Sequence, residues 1–95
     1  MSEKYFVNWT NPFKKDYKRA IRRGLDIAKI DAVIAKLANG EELPPANRDH
    51  ALSGPWANHR ECHVAPNWLL IYQIFENVLV LELTRTGSHS DLFGK

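Results

Sequence analysis

The stretch WLLIYQIFENVLVLELT, residues 68–84, decides the fold. Trp68–Phe75 is almost wholly apolar, as expected of a central strand covered on at least one face. Residues 78–84 alternate, with Leu79, Leu81 and Leu83 on one side and Val80, Glu82 and Thr84 on the other. Glu76-Asn77 between the two runs is short enough for a tight antiparallel connection. Upstream, residues 59–65 read as another strand, and Pro66-Asn67 supplies the turn into Trp68. The second half of the chain is therefore a three-stranded antiparallel meander.

The first half reads differently. Tyr5, Val7 and Trp9 alternate as in a short strand, and Thr10-Asn11-Pro12 is a helix start, with an Asn or Thr cap followed by proline. Phe13, Tyr17, Ala20 and Ile21 then share one helical face, with Gly24 as the stop. A second helix follows Asp26, with Ile30, Val33, Ile34 and Leu37 as its stripe and Asn39-Gly40 as its close. A proline-bearing loop occupies residues 41–47. Two such short helices cannot bury their stripes on each other alone and need the sheet. The expectation is one α+β domain over residues 1–95, two layers deep: a short N-terminal strand, two amphipathic helices, then the meander. No internal repeat or low-complexity segment interrupts it.

Composition excludes several classes. The content is 44% hydrophobic and 25% charged, ordinary for a soluble globular protein. Cys62, the single cysteine, can form no internal disulfide. The segment MSEKYFVNW lacks an apolar signal core, and the longest uninterrupted apolar run is Trp68 to Tyr72, so no membrane span is expected and the chain reads as cytoplasmic. Charge is unevenly spread. Residues 1–48 hold ten Lys and Arg against six Asp and Glu, while residues 49–95 hold three against five and all four histidines. Six cations fall in residues 14–23 with only Asp16 among them: Lys14, Lys18 and Arg22 in one i, i+4 row, Lys15, Arg19 and Arg23 in another. Such a face is either solubilising or phosphate-binding, and its density points to polyanions.

Three chemistries can be weighed on the second half. His59 and His63 have helical metal spacing, but on a strand Cys62 points away from both, so no metal site is expected. The same parity removes Cys62 as an activated nucleophile and leaves it a small buried hydrophobe. Acid/base cleavage of a phosphodiester fits better. It needs a base for the ribose 2′-OH, an acid for the leaving 5′-oxygen and a cation at the phosphorus. Histidine suits both proton roles and arginine suits the phosphate. The C-terminal run LTRTGSHSDLFG offers Arg85, then a Thr-Gly-Ser turn, His89 and Phe93, an aromatic able to stack on a base. Each has a plain alternative: Arg85 paired with Glu82, His89 merely exposed, Phe93 the last core residue, Asn67 present only for its turn.

The ordered residues Arg48-Asp49-His50, Leu52, Gly54, Trp56, Arg60, His63-Val64, Pro66, Trp68, Leu70-Ile71-Tyr72, Arg85-Thr86-Gly87, His89 and Leu92-Phe93-Gly94 carry a resemblance. In order and spacing the chain resembles the YafQ branch of the RelE bacterial toxins. The resemblance implies a RelE-like fold and the toxin half of a type II toxin–antitoxin pair. It further implies a ribosome-dependent endonuclease that cuts mRNA in the A site without metal or organic cofactor. The partners it implies are the ribosome with its rRNA, the message, a cognate antitoxin and, with the antitoxin, operator DNA. Carried onto this chain, His89 resembles the principal general acid, and His50 and His63 the remaining proton-transfer and phosphate-orienting groups. Arg85 resembles the phosphorane-stabilising cation, Phe93 the nucleotide-positioning aromatic and Trp68 a supporting substrate-site residue. The family pattern has aspartate before that tryptophan; here Asn67 can hold a hydrogen bond but cannot accept a proton. His59 has no counterpart. The alternative is a catalytically weakened RNA- or antitoxin-binding module of the same fold.

Overall fold

The computed structural model describes residues 3–94. Strand β1 (Phe6–Trp9) leads into helix α1 (Asn11–Arg22) and helix α2 (Ile27–Ala38). Then come a 3-10 turn at Pro45–Asn47, the two-residue strand β2 (His50–Ala51), a second 3-10 turn at Gly54–Trp56, and strands β3 (Arg60–Ala65), β4 (Trp68–Phe75) and β5 (Val80–Gly87). A five-residue helix α3 (His89–Phe93) closes the chain. The sheet order is β1-β5-β4-β3-β2, with β1 parallel to β5 and every other pair antiparallel. The meander is as the sequence predicts, and β1 and β2 widen it to five strands. Among the described residues, no helix is long and apolar enough to cross a membrane.

The helices start where side chains replace their missing backbone partners. Thr10 Oγ1 accepts from Phe13 N at 3.1 Å and donates to Thr84 O at 2.9 Å, so one hydroxyl caps α1 and tethers it to β5. Asp26 caps α2 through Ala28 N at 3.2 Å. The α2 stripe of Ile30, Val33 and Leu37 is buried as expected. On α1 the buried positions are Phe13, Asp16 and Ala20, and Ile21 is 53% exposed. The helix is thus rolled so that a carboxylate, not Ile21, faces the sheet.

Two details of β5 differ from the reading above, and both shape the site. The β4–β5 connection spans residues 76–79, because Phe75 pairs with Val80 and Leu79 takes φ 53° outside the strand. At the other end β5 runs on through Arg85, Thr86 and Gly87, although the strand was expected to stop at Thr84 with a turn at residues 86–88. Register shifts between Ile71 and Tyr72: Tyr72 faces Leu83 while Ile71 faces Arg85, leaving Thr84 as an extra residue. Strict alternation after Leu81 and Leu83 would send Arg85 into the core. The bulge instead places fully buried Thr86 opposite Leu70 on the helix-covered face and Arg85 opposite Ile71 on the other.

Candidate active site

Register alone assembles one row of side chains. His50 pairs with Glu61, Glu61 with Ile71, and Ile71 with Arg85, across four adjacent strands. Residues directly opposite each other share a face, so this row lies on the face opposite the core that α1 and α2 cover. The next row is His63, Leu69 and Gly87. His63 is two residues from Glu61 and shares its face, while Cys62 between them is fully buried in the core. Burial pushes the Cys62 thiol up to about 12, so it is no nucleophile.

His50 is held at both ring nitrogens. Nδ1 lies 2.8 Å from Arg48 O, an acceptor only, so Nδ1 carries a hydrogen. Nε2 lies 3.3 Å from Glu61 Oε1. Glu61 is buried, a carboxylate behind the imidazole that the sequence reading did not single out. The next carboxylate outward, Asp49, accepts from Tyr72 Oη at 2.7 Å and from Arg60 Nε at 3.2 Å, fixing the β2 approach. Burial, then this bond, raises the Tyr72 phenol.

Arg85 pairs with Asp16 of α1, not with Glu82. Strand β1 accompanies β5 only as far as Leu83, so the edge of β5 beyond it is open to α1. Asp16, with only 4% of its side chain exposed, fills that edge. It accepts from Arg85 Nε at 2.6 Å and Nη2 at 3.2 Å, from Thr86 N at 3.1 Å and from Arg19 Nη2 at 3.1 Å. The Asp16 hydrogen bonds raise the Arg85 guanidinium further. Sequence periodicity had no way to see Asp16 in this role, though it is the lone acid in the basic run.

Helix α3, which carries His89 and Phe93, lies against β5 and sets Phe93 beside Trp56. Ser88 caps it, Ser88 Oγ accepting from Asp91 N at 3.1 Å while Asp91 Oδ2 accepts from Ser88 N at 2.9 Å. Asp91 also takes a two-pronged bond from Arg23, at 2.8 and 3.3 Å, and lies 3.7 Å from Arg19. Arg23 first, then the Ser88 N–H, holds the Asp91 carboxyl well below the usual carboxylate range. At Gly87 a β-carbon would meet Asp91 Cβ at 2.8 Å, so glycine is what lets α3 fold back. His89 is exposed with its ring 5.7 Å from Phe93, and Phe93, 37% exposed, stands edge-on to Trp56 at 6.4 Å. Trp56 in turn stands edge-on to the unassigned His59 at 5.5 Å. The Ser88-x-x-Asp91 spacing was readable as a capping box; the Arg23 contact was not.

Three expected binding residues occupy places that change their use. Trp68 is buried and its Nε1 donates to Thr86 Oγ1 at 2.9 Å, which ties β4 to the end of β5 beneath the site. Arg19 and Arg23 are committed to Asp16 and Asp91, so the second cationic row of α1 is mostly a clasp for α3. Lys14, Lys15, Lys18 and Arg22 are exposed and make no ion pair with the described residues. Asn67 is exposed in the β3–β4 turn and borders, with Trp68 and Gly87, a small cavity of about 160 Å³ beside that clasp. No group of three or more His, Cys, Asp or Glu able to hold a metal occurs among the described residues.

Comparison with known proteins places the whole architecture. The profile of the family described as "Bacterial toxin of type II toxin-antitoxin system, YafQ" matches residues 5–94. The mRNA interferase toxin YafQ of Escherichia coli K12 is 37% identical over 89 residues, covering 93% of this chain and 95% of that protein. The crystal structure of YafQ from E. coli BL21(DE3) superposes with a TM-score of 0.89 at 34% identity, covering 95% of this chain and 99% of that one. YafQ in the E. coli DinJ–YafQ toxin–antitoxin complex gives 0.88 at 35% identity, with 96% and 99% covered. With a profile match spanning nearly the whole sequence and the same α+β topology at this identity, the chain belongs to the YafQ family of type II toxin–antitoxin toxins.

Proposed function

We propose that this toxin is an endoribonuclease that cleaves mRNA on the ribosome by histidine acid/base catalysis. The single observation that supports it most is the registered row of His50, Glu61 and Arg85 with His63 beside it, with α3, which carries His89 and Phe93, following directly on the β5 end of that row. A base removes the ribose 2′-proton, the 2′-oxygen attacks the adjacent phosphorus, and the bond to the 5′-oxygen breaks as an acid protonates it. The products are a 2′,3′-cyclic phosphate and a 5′-hydroxyl. His89 is the general acid, since it is exposed, beside the stacking ring of Phe93. His50, through Nε2, and His63 share the base and phosphate-orienting roles. Arg85 offers Nη1 to the phosphorane while Asp16 fixes Nε and Nη2, so the guanidinium needs no reorganisation as charge develops.

Lys14, Lys15, Lys18 and Arg22 supply rRNA phosphate contacts, which position the toxin without reading sequence. Arg19 and Arg23 act there only through the clasp, and Asn67 hydrogen-bonds where the family aspartate would carry charge. The chemistry calls on no cofactor. A cognate antitoxin is the regulatory partner, as DinJ is in the E. coli complexes, and the pair binds operator DNA; the toxin acts in the cytoplasm. Primer extension on programmed ribosomes tests the reading. Wild type is expected to leave discrete A-site cuts that His89→Ala reduces by about a hundredfold or more. Unchanged cuts in the variant would move the acid role to His50 or His63, and no cuts from wild type would overturn the nuclease.

A further inference from the structure

Strand β2 pairs with β3 only at Arg60 and Glu61, so the edge of β3 beyond Glu61 lacks a strand partner. Along it lies a cleft of about 450 Å³, bounded by Lys29 in the first turn of α2, by Asn47 and Arg48, and by His63, Val64 and Pro66. No aspartate or glutamate lines it among the described residues. Lys29 and Arg48 make no ion pair with those residues either, although Arg19, Arg23, Arg60 and Arg85 all do. Arg48 also borders a neighbouring cleft with Glu42 and Asp49, but Asp49 is already taken by Tyr72 and Arg60, and Glu42 makes no ion pair with Arg48.

The cleft is joined to the histidines by the Asn47 side chain and the Arg48 backbone. Asn47 Nδ2 donates to His63 O at 2.7 Å, and the Arg48 carbonyl accepts from His50 Nδ1. Arg48 adopts φ 50° and ψ 44°, a left-handed conformation that a side chain such as arginine rarely takes. That conformation is what sets its carbonyl toward His50. Two unpaired cations over an apolar floor, continuous with a site imidazole, match a ribonucleotide: phosphate on the cations, sugar and base edge on Val64 and Pro66.

We infer that this cleft is a second ribonucleotide subsite, in which Lys29 and Arg48 bind a phosphate of the RNA strand flanking the one presented to His63 and Arg85. The inference rests on the nuclease reading for its ligand, yet its test does not need cleavage. The probe is a short fluorescein-labelled oligoribonucleotide with every 2′-OH methylated, which cannot be cut. Its Kd is measured by polarisation over a range of salt for wild type, for the Lys29→Gln/Arg48→Gln variant, and for a charge-matched Lys4→Gln/Lys36→Gln control. The cleft variant is expected to bind about tenfold more weakly, with the log–log salt slope smaller by about 0.7, as one lost single-strand phosphate contact requires. The control should keep the wild-type slope. A slope and Kd equal to wild type, or no binding by wild type, would overturn the subsite. So would unchanged RNA binding together with weakened antitoxin binding, which would give the cleft to a polypeptide strand. A wild type that binds the probe through the cleft but cuts no message would instead overturn the nuclease and leave the subsite standing.

Discussion

Removing the Asp91 carboxylate should undock the segment that carries His89 and Phe93. Helix α3 has five residues, far fewer than an isolated helix needs, so its position depends on anchors. Asp91 supplies most of them: the reciprocal cap with Ser88, the two-pronged bond to Arg23 and the approach to Arg19. Its side chain is only 13% exposed. Asp91→Ala keeps the backbone bond to Ser88 Oγ but loses the carboxylate half of the capping box and the Arg23 bonds and leaves the Ser88 N–H unpartnered, costing about 1–2 kcal/mol. That multiplies the undocked population roughly 5- to 30-fold. Single-turnover cleavage on programmed ribosomes should show a fall in rate with little change in the toxin concentration giving half-maximal rate, and amide exchange at Leu92 and Gly94 should quicken. Arg23→Asp should mimic the defect, and adding Asp91→Arg to it should restore part of the rate by reversing the pair. If Arg23 served mainly as a phosphate contact, Arg23→Asp would raise the half-maximal concentration and the swap would restore nothing; that result would refute the clasp. The pH dependence has a definite sign. Because folding lowers the Asp91 pKa, its stabilisation is present above the ordinary carboxylate value and fades only as pH falls below it. Docking of α3 should therefore be constant across neutral pH.

Other positions carry consequences of their own. Gly87→Ala drives a methyl to 2.8 Å from Asp91 Cβ, so it should reproduce the Asp91→Ala rate defect and lower Tm, read by circular dichroism. Asp16→Ala strips Arg85, Arg19 and the buried Thr86 N–H of their shared acceptor, and should cost about 2–4 kcal/mol, seen as a urea midpoint lower by at least about 1 M. Burial, and then its hydrogen bond to Asp31, pushes the Tyr17 phenol up to about 12. A raised tyrosine pKa stabilises fully below the unfolded value near 10 and loses that contribution as pH climbs through 12. Tm should hold to about pH 10 and fall above it, and Tyr17→Phe should flatten that decline.

Much of this molecule is written in local pattern. The apolar run of β4, the alternation of Leu81 and Leu83, the capping residues Thr10 and Asp26, and the parity that buries Cys62 while presenting His63 all follow from spacing, because adjacent residues on a strand or helix have fixed relative directions. The histidines, Arg85 and Phe93 were likewise legible as candidates, since their chemistry belongs to the side chain itself. What they touch was decided elsewhere. The extra residue at Thr84 reverses the facing of everything after it, so Thr86 enters the core and Arg85 leaves it. Asp16 meets Arg85 across 69 residues, and Arg23 meets Asp91 across 68. Glu61 backs His50 only because β2 pairs at that register. Periodicity reports directions within one element. Strand register, a bulge and the roll of α1 are choices between elements, made by core packing and by satisfying buried donors at the open edge of β5. Those choices turn a basic helix row into a clasp and set His50 and His63 on one face.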